Sequence, residues 1–339
     1  MGAVSKSSWK RRARIAHPGA GNTITYEIDK GGFLEDIMVV ARGIVRVTGG
    51  TSNGVATADY NPQALVSKFE VIGNSAGVYP GGMLKSVLSS SVHARVAFDD
   101  KEYLGDLTGA TLSGAIGNYT IKTPYQLRFA LPNNPEPNET SLFTAGYVGL
   151  QLVIYCGQGT DLFPGCDRNF DFSGVTFDIY DRRNAGSPNK TEVAVLFETD
   201  QIIPIGGAND SWNLRDYLRK NEPYLDILVM AQTTNHALSD SVLLEVKTVE
   251  DEKSVPFMQG IDPDALKFRQ FREVNAGQST TGLYRIPLAE DFMLSQLISN
   301  PAITVNVANP GGANNDRLIL SSRRVLRPTV AKDGSVSFA

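Results

Sequence analysis

The feature that most constrains this chain is a set of strand-sized segments that occurs twice in the same order. Phe33-Leu34-Glu35-Asp36-Ile37-Met38-Val39-Val40-Ala41 reads like Tyr224-Leu225-Asp226-Ile227-Leu228-Val229-Met230-Ala231. Phe69-Glu70-Val71, followed by Val78-Tyr79-Pro80, reads like Leu244-Glu245-Val246 followed by Val255-Pro256. Arg128-Phe129-Ala130-Leu131-Pro132 recurs as Tyr284-Arg285-Ile286-Pro287, and Leu150-Gln151-Leu152-Val153-Ile154-Tyr155-Cys156-Gly157 as Ile303-Thr304-Val305-Asn306-Val307-Ala308. Alternating strands resemble one another everywhere, so one match carries little. Four in one order point to two similar domains in tandem. The separation between matched segments shrinks along the chain, so the first copy has the longer early loops, as over 48–62.

The repeated unit is all-β. Runs of β-branched and aromatic residues predict strands over 23–28, 44–48, 68–72, 94–98, 119–122, 126–131, 175–180, 193–197, 243–249, 303–307 and 318–322, and 32 glycines and 17 prolines supply turns. Helical spacing is confined to 209–219, with Asn209 or Asp210 as N-cap, to 262–271 and to 291–298. The polar stretch 182–190 has the composition of a linker. The chain then divides into a basic N-terminal arm (1–20), a first jelly roll (21–183), a linker (184–191), a second jelly roll (192–329) and a C-terminal tail (330–339). Each half, about 150 residues, has room for eight strands. The expected fold is two tandem eight-stranded jelly-roll β-sandwiches with a few short helices in loops.

With 32 basic against 36 acidic residues the net charge is −4, which argues against a body built to coat nucleic acid. Lys6, Lys10, Arg11, Arg12 and Arg14 place +5 in the first 16 residues with no acid among them, leaving −9 on the remainder. This basic arm reads as an object separate from the body. Five cations and Trp9 suit an anionic bilayer surface, where each cation contributes about 1 kcal/mol. They also suit phosphates of packaged nucleic acid, and a disordered solubilising tail is the plain alternative. No apolar run approaches the roughly 18 residues of a spanning helix, so a soluble chain is expected. No apolar segment follows the arm's charges as a secretory signal requires, while a cleaved organellar presequence stays open.

Catalytic motifs are missing. The three histidines, His17, His93 and His236, form no zinc-protease pattern, and His17 and His236 read as surface positions. The acidic knots Asp99-Asp100-Lys101-Glu102 and Glu250-Asp251-Glu252 lack calcium-loop spacing and read as solvated turn acids. Cys156 and Cys166 are too few for a disulfide framework or a structural zinc site; they either bridge or stay free thiols. Asn-x-Ser/Thr sequons at Asn118, Asn138, Asn189 and Asn209 would matter only in a secreted eukaryotic protein. No catalytic, cofactor or metal residue is nominated, and no enzyme is expected.

The opening Ile24-Thr25-Tyr26-Glu27-Ile28-Asp29-Lys30-Gly31-Gly32-Phe33-Leu34, then Leu65-Val66-Ser67-Lys68-Phe69-Glu70-Val71-Ile72-Gly73-Asn74 and Phe129-Ala130-Leu131-Pro132, stand on two tandem β-domains behind a short arm. Together they resemble the double jelly-roll major capsid proteins of tailless, icosahedral, internal-membrane-containing viruses, bacteriophage-like ones among them. The resemblance implies a structural virion protein made in the host cytoplasm, with three copies forming a pseudo-hexagonal capsomer. It implies contacts with neighbouring capsomers, with penton or minor capsid proteins and with an internal lipid membrane, and no sequence-specific nucleic acid partner. Lys6, Trp9, Lys10, Arg11, Arg12 and Arg14 would then face the membrane or neighbouring capsomers. Two rival readings differ in class. A tandem β-sandwich carbohydrate-binding, lectin-like module would need an aromatic platform, for which only Trp9 and Trp212 exist. A jelly-roll hydrolase would show convergent carboxylates or a metal at one mouth.

Overall fold

A computed structural model describes residues 7–50, 62–75, 80–100, 115–131, 141–162, 167–184, 194–233, 237–250, 256–263, 265–267, 281–289, 297–312, 315–326, 328–330 and 336–338. These form two compact units, one running to Val195 and the other from Leu196, the second also taking in residues 97–100.

The first unit contains β1 (Ser8–Ala16), β2 (Thr23–Glu27), β3 (Phe33–Thr48), β4 (Val66–Ser75), β5 (Gly82–Leu88), β6 (Gly117–Arg128), β7 (Leu142–Phe143), β8 (Tyr147–Cys156) and β9 (Asn169–Asn184). Helix α1 (Ser89–Asp100) follows β5, and a single turn, α2 (Gly159–Leu162), follows β8. One sheet has the order β1-β9-β3-β6, with β7 on β3; the other has the order β5-β4-β8-β2. The strands within these sheets run antiparallel. Alternation places Ile37, Val39, Phe177, Ile179 and Leu127 of one sheet, and Phe69, Val71, Leu152 and Ile154 of the other, in the core. Phe69 meets Tyr125 across the sandwich with ring centroids 5.1 Å apart.

The second unit contains β10 (Val195–Ile205), β11 (Asn209–Asn213), β12 (Pro223–Thr233), β13 (Ala237–Leu238), β14 (Leu243–Glu250), β15 (Pro256–Ile261), β16 (Leu283–Pro287), β17 (Ile298–Ser299), β18 (Ala302–Val307) and β19 (Asp316–Leu326), with β20 (Pro328–Val330) and β21 (Val336–Phe338) as a separate ribbon. Its sheets are β10-β19-β12, with β13, β16 and β17 pairing the other edge of β12, and β11-β18-β14-β15. Ile227, Val229, Tyr284, Leu320, Val246, Ile303 and Val305 belong to one apolar core.

Substituting β10, β19, β12 and β16 for β1, β9, β3 and β6, and β11, β18, β14 and β15 for β2, β8, β4 and β5, turns one unit's sheet orders into the other's. Both are eight-stranded jelly rolls. All four sequence matches fall on equivalent strands: β3 with β12, β4 with β14, the end of β6 with β16, and β8 with β18. The second match is out of register by two residues, since the bulges after Val66 and Leu243 align buried Phe69 with Val246 and not with the exposed Leu244, and the third is also out by two. The amides of Phe129 and Ala130 donate to the Glu35 carbonyl as those of Leu288 and Ala289 donate to the Leu225 carbonyl, which sets Gln126, not Arg128, against Arg285.

Several local readings differ. Residues 8–16, read as part of a separate arm, form strand β1, which pairs β9 from Ser8 opposite Arg183 to Ala16 opposite Thr176. Residues 94–98 lie in α1 rather than a strand, because Val92 with Val96 and Ala94 with Phe98 bury as pairs four residues apart, a helical spacing. Residues 209–213 are β11, followed by a 3-10 turn at Arg215–Tyr217, rather than a helix. Arg182 and Arg183 belong to β9 rather than to a linker. Residues 185–191, 268–271 and 291–296, together with His236 and Cys166, lie outside the described residues.

Gly43, midway along β3, has φ +140°, and a Cβ there would sit 2.0 Å from the carbonyl oxygen of Gly174 on the paired β9. Both the backbone angle and the contact exclude a side chain. Gly43→Ala is therefore expected to destabilise the protein by about 1–3 kcal/mol or more, read as a lower urea midpoint; an unchanged midpoint would contradict this register.

Candidate assembly surface and its buried ion-pair frame

The same constellation of charges recurs at the same place in both jelly rolls. β3 carries a bulge between Leu34 and Asp36 opposite β9, and β12 carries one between Tyr224 and Asp226 opposite β19. Asp36 then lies opposite Arg182, and Asp226 opposite Arg323. Neither carboxylate has measurable exposure. A buried carboxylate is tolerated only with cations and hydrogen bonds around it. In the second unit Arg323 donates through Nε to Asp226 Oδ1 at 2.9 Å, through Nη2 to Asp226 Oδ2, and through Nη1 to Asp99 Oδ2 at 2.7 Å. Arg285 Nε donates to Asp226 Oδ2 at 2.9 Å. Burial works to lower the Arg323 proton affinity, but Asp226 and Asp99 outweigh it and hold the guanidinium above its ordinary value. In the first unit Arg182 lies 2.8 Å from both Asp36 and Glu35, and Gln126 Nε2 donates to Asp36 at 3.2 Å from the position Arg285 holds in the second. Arg128 adds a longer contact at 3.4 Å. Asp99 is thus a buried ion-pair partner, correcting its reading as a solvated turn acid; its chain neighbourhood alone could not disclose an arginine 224 residues away.

Of the six residues expected at an inner face, Lys6 lies outside the described residues and the other five share β1, the end strand of its sheet. The structure divides those five. Arg12 pairs with Asp181 at 2.7 Å and Asp29 at 3.3 Å, and Arg14 with Asp178 at 2.6 Å. Arg42 reaches the other Asp178 oxygen at 2.8 Å, and Arg183 the other Asp181 oxygen at 2.6 Å. The Arg14 hydrogen bond outweighs burial and holds the Asp178 carboxyl below its ordinary value. These alternating charges join β1, β9 and β3 side by side, so β1 adheres to the sheet despite its polarity. Lys10 and Arg11 remain exposed, and Trp9, 43% exposed, lies 5.7 Å from the Arg182 guanidinium.

His17 is buried rather than on the surface: it stacks on Phe172 at 4.8 Å and Phe177 at 5.4 Å, and its Nδ1 accepts the Gly19 amide. Burial lowers it to about 4, and does the same to His93, which meets Tyr125 edge-on. Cys156 is a free, buried thiol that burial pushes up to about 11. Among the described residues no three His, Cys, Asp or Glu side chains gather as a metal site, and no helix is long and apolar enough to cross a membrane.

No family model matches the sequence, and no curated protein matches it. Solved structures do. The major capsid protein of STIV, the Sulfolobus Turreted Icosahedral Virus, superposes with a TM-score of 0.68 at 13% identity over 94% of this chain and 96% of that one. The chain has the double jelly-roll fold of viral capsid proteins. The PBCV-1 virus capsid matches this double jelly roll with a TM-score of 0.59 at 11% identity, over 99% of this chain and 97% of that one. The major capsid protein of bacteriophage PM2 gives 0.58 at 10% identity, over 97% and 100%.

Two outcomes follow for this double jelly roll. Asp226→Ala should cost about 3–5 kcal/mol by leaving Arg323 and Arg285 buried without their shared carboxylate, whereas replacing Asp226, Arg323, Arg285 and the second Arg323 partner Asp99 together with Leu or Met should recover most of that loss; urea denaturation measures both. The unfolded histidines bind protons below about pH 6.5 and the folded ones only near 4, so stability should be full above pH 6.5 and fall as pH drops towards 4. His17→Phe should make that fall shallower in melting curves, leaving the His93 share; an identical pH profile would contradict the neutral, stacked His17.

Proposed function

We propose that the chain is a major capsid protein, a structural subunit of an icosahedral virion shell rather than an enzyme. The observation that carries this reading is the whole-length match of two equivalent jelly rolls to capsid proteins from three separate viruses. In this reading three copies close a capsomer. Two barrels per copy give six per trimer, so a three-fold assembly acquires a nearly hexagonal outline and tiles a shell. Broad, mostly polar contacts between capsomers suit such tiling better than a pocket does. The protein would reach the virion from the host cytoplasm and meet penton or minor capsid proteins at the lattice vertices. Residues 184–191 would join the two jelly rolls.

Strand β1 supplies the inward contact in this proposal. With Arg12 and Arg14 paired to acids of β9, Lys10, Arg11, Trp9 and the preceding Lys6 would meet an anionic membrane surface or a neighbouring capsomer. Native mass in solution tests the assembly: a trimer, and larger particles as salt is varied, are expected, and a monomer under every condition overturns the reading. Lys10→Glu with Arg11→Glu should leave the trimer and melting temperature unchanged while weakening binding to phosphatidylglycerol vesicles or shell formation. Unchanged behaviour in both would remove β1 from the contact.

A further inference from the structure

The two jelly rolls differ on one surface, the outer face of the sheet that holds the buried ion pair. Aligned on Asp36 and Asp226, the cross-strand pair Met38 and Tyr180 corresponds to Leu228 and Ser321, Val40 and Asp178 to Met230 and Ile319, and Arg42 and Thr176 to Gln232 and Arg317. In the second unit this face is closed. Leu228, Met230, Ile319 and Ser321 have 1% exposure or less, and Asp99, from the stretch 97–100 that belongs to this unit, lies against Arg323. In the first unit the same face stays open: Met38, Thr176 and Tyr180 are half-buried, the Arg42 side chain is 37% exposed and Ile44 is 50% exposed. Lys122, directly opposite Arg42 on β6, is exposed as well. Arg42 Nη2 donates to the Tyr180 hydroxyl at 3.3 Å, and Arg14 and Arg42 hold the two oxygens of Asp178. The polar side chains of the face are therefore fixed before any partner arrives, which lowers the ordering cost of a contact.

We propose that this face, centred on Met38, Arg42, Ile44, Tyr180 and Lys122, binds a second copy of the chain. The inference rests on the three-copy capsomer, in which six barrels stand in nearly equivalent places around the axis. A face that is buried on every second barrel then calls for a cover on every first one, and the next copy in the ring supplies it. The charges fit. Arg14, Arg42 and Lys122 outnumber Asp178 on this face, whereas the chain beyond its first 16 residues carries −9, so another copy brings the opposite sign. The contact is heterologous, with the first unit of one copy against a different surface of the next, and it closes when the third copy meets the first.

The test uses the full-length protein, held as the trimer or diluted to monomer, with amine acetylation read by mass spectrometry. Lys122 should react at least about tenfold more slowly in the trimer than in the monomer, because the centre of an interface excludes water. Lys10 on β1 should react equally in both. Ile44→Glu with Lys122→Glu, both at exposed positions, should raise the trimer dissociation constant at least about hundredfold while leaving circular dichroism unchanged. A trimer in which Lys122 reacts as freely as in the monomer, or a folded double variant that assembles like the parent, overturns this inference and leaves the trimer standing. A parent protein that stays monomeric overturns both readings. Should the double variant lose its fold, acetylation of the parent decides alone.

Discussion

A carboxylate buried in the middle of a β-sheet cannot stand without cations, and each half of this molecule is arranged around one. Asp36 and Asp226 occupy equivalent bulges on the strands that centre their sheets, each opposite an arginine from the last long strand of its jelly roll. Desolvating such a pair costs several kcal/mol per ion, which the mutual attraction offsets only when geometry and hydrogen bonding are good. The arrangement is therefore better understood as a device for register than as a source of net stability. A one-residue slip of β9 or β19 would turn every side chain of that strand to the opposite face and part Arg182 or Arg323 from its carboxylate. The two copies are not identical: Arg285 holds the second carboxylate where Gln126 holds the first, and the arginine's further acid is Glu35 in the first and Asp99 in the second.

Much of this architecture was legible in the sequence. The four repeated segments landed on topologically equivalent strands because buried alternation survives when little else does: Leu150, Leu152 and Ile154 are buried in β8, as Ile303, Val305 and Val307 are in β18. The clamp was visible in part, since Asp36 and Asp226 stood in the first match and Arg182-Arg183 has its counterpart in Arg323-Arg324. Polar dipeptides beside a Gly/Pro stretch look like linker, however, and only pairing shows them to be strand. The same reason hid β1, whose composition of Trp, Lys and Arg signals a solvated tail. Its cohesion comes from Asp178 and Asp181, more than 160 residues away. His17 and Asp99 were misjudged similarly, because burial by distant residues leaves no local mark.

The charge division that first set the arm apart has a different meaning in the folded chain. Part of its +5 is paired with acids, through Asp29, Asp178 and Asp181, while Lys10 and Arg11 stay exposed, Arg11 still helping to hold the Asp178 carboxyl below its ordinary value. A strand at the end of a sheet, bearing lysine and arginine, is also protected against uncontrolled pairing with other chains. In the proposed capsid subunit, which would associate only along chosen directions, such protection would have evident use.

The account stands or falls on whether the two equivalent jelly rolls are the repeating element of a shell. Electron cryomicroscopy of particles assembled from the purified protein addresses this directly. Capsomers of three copies, with six barrels in a nearly hexagonal outline, are predicted. Particles whose lattice is built from single copies or dimers, or shell density into which the double jelly roll does not fit, would contradict it.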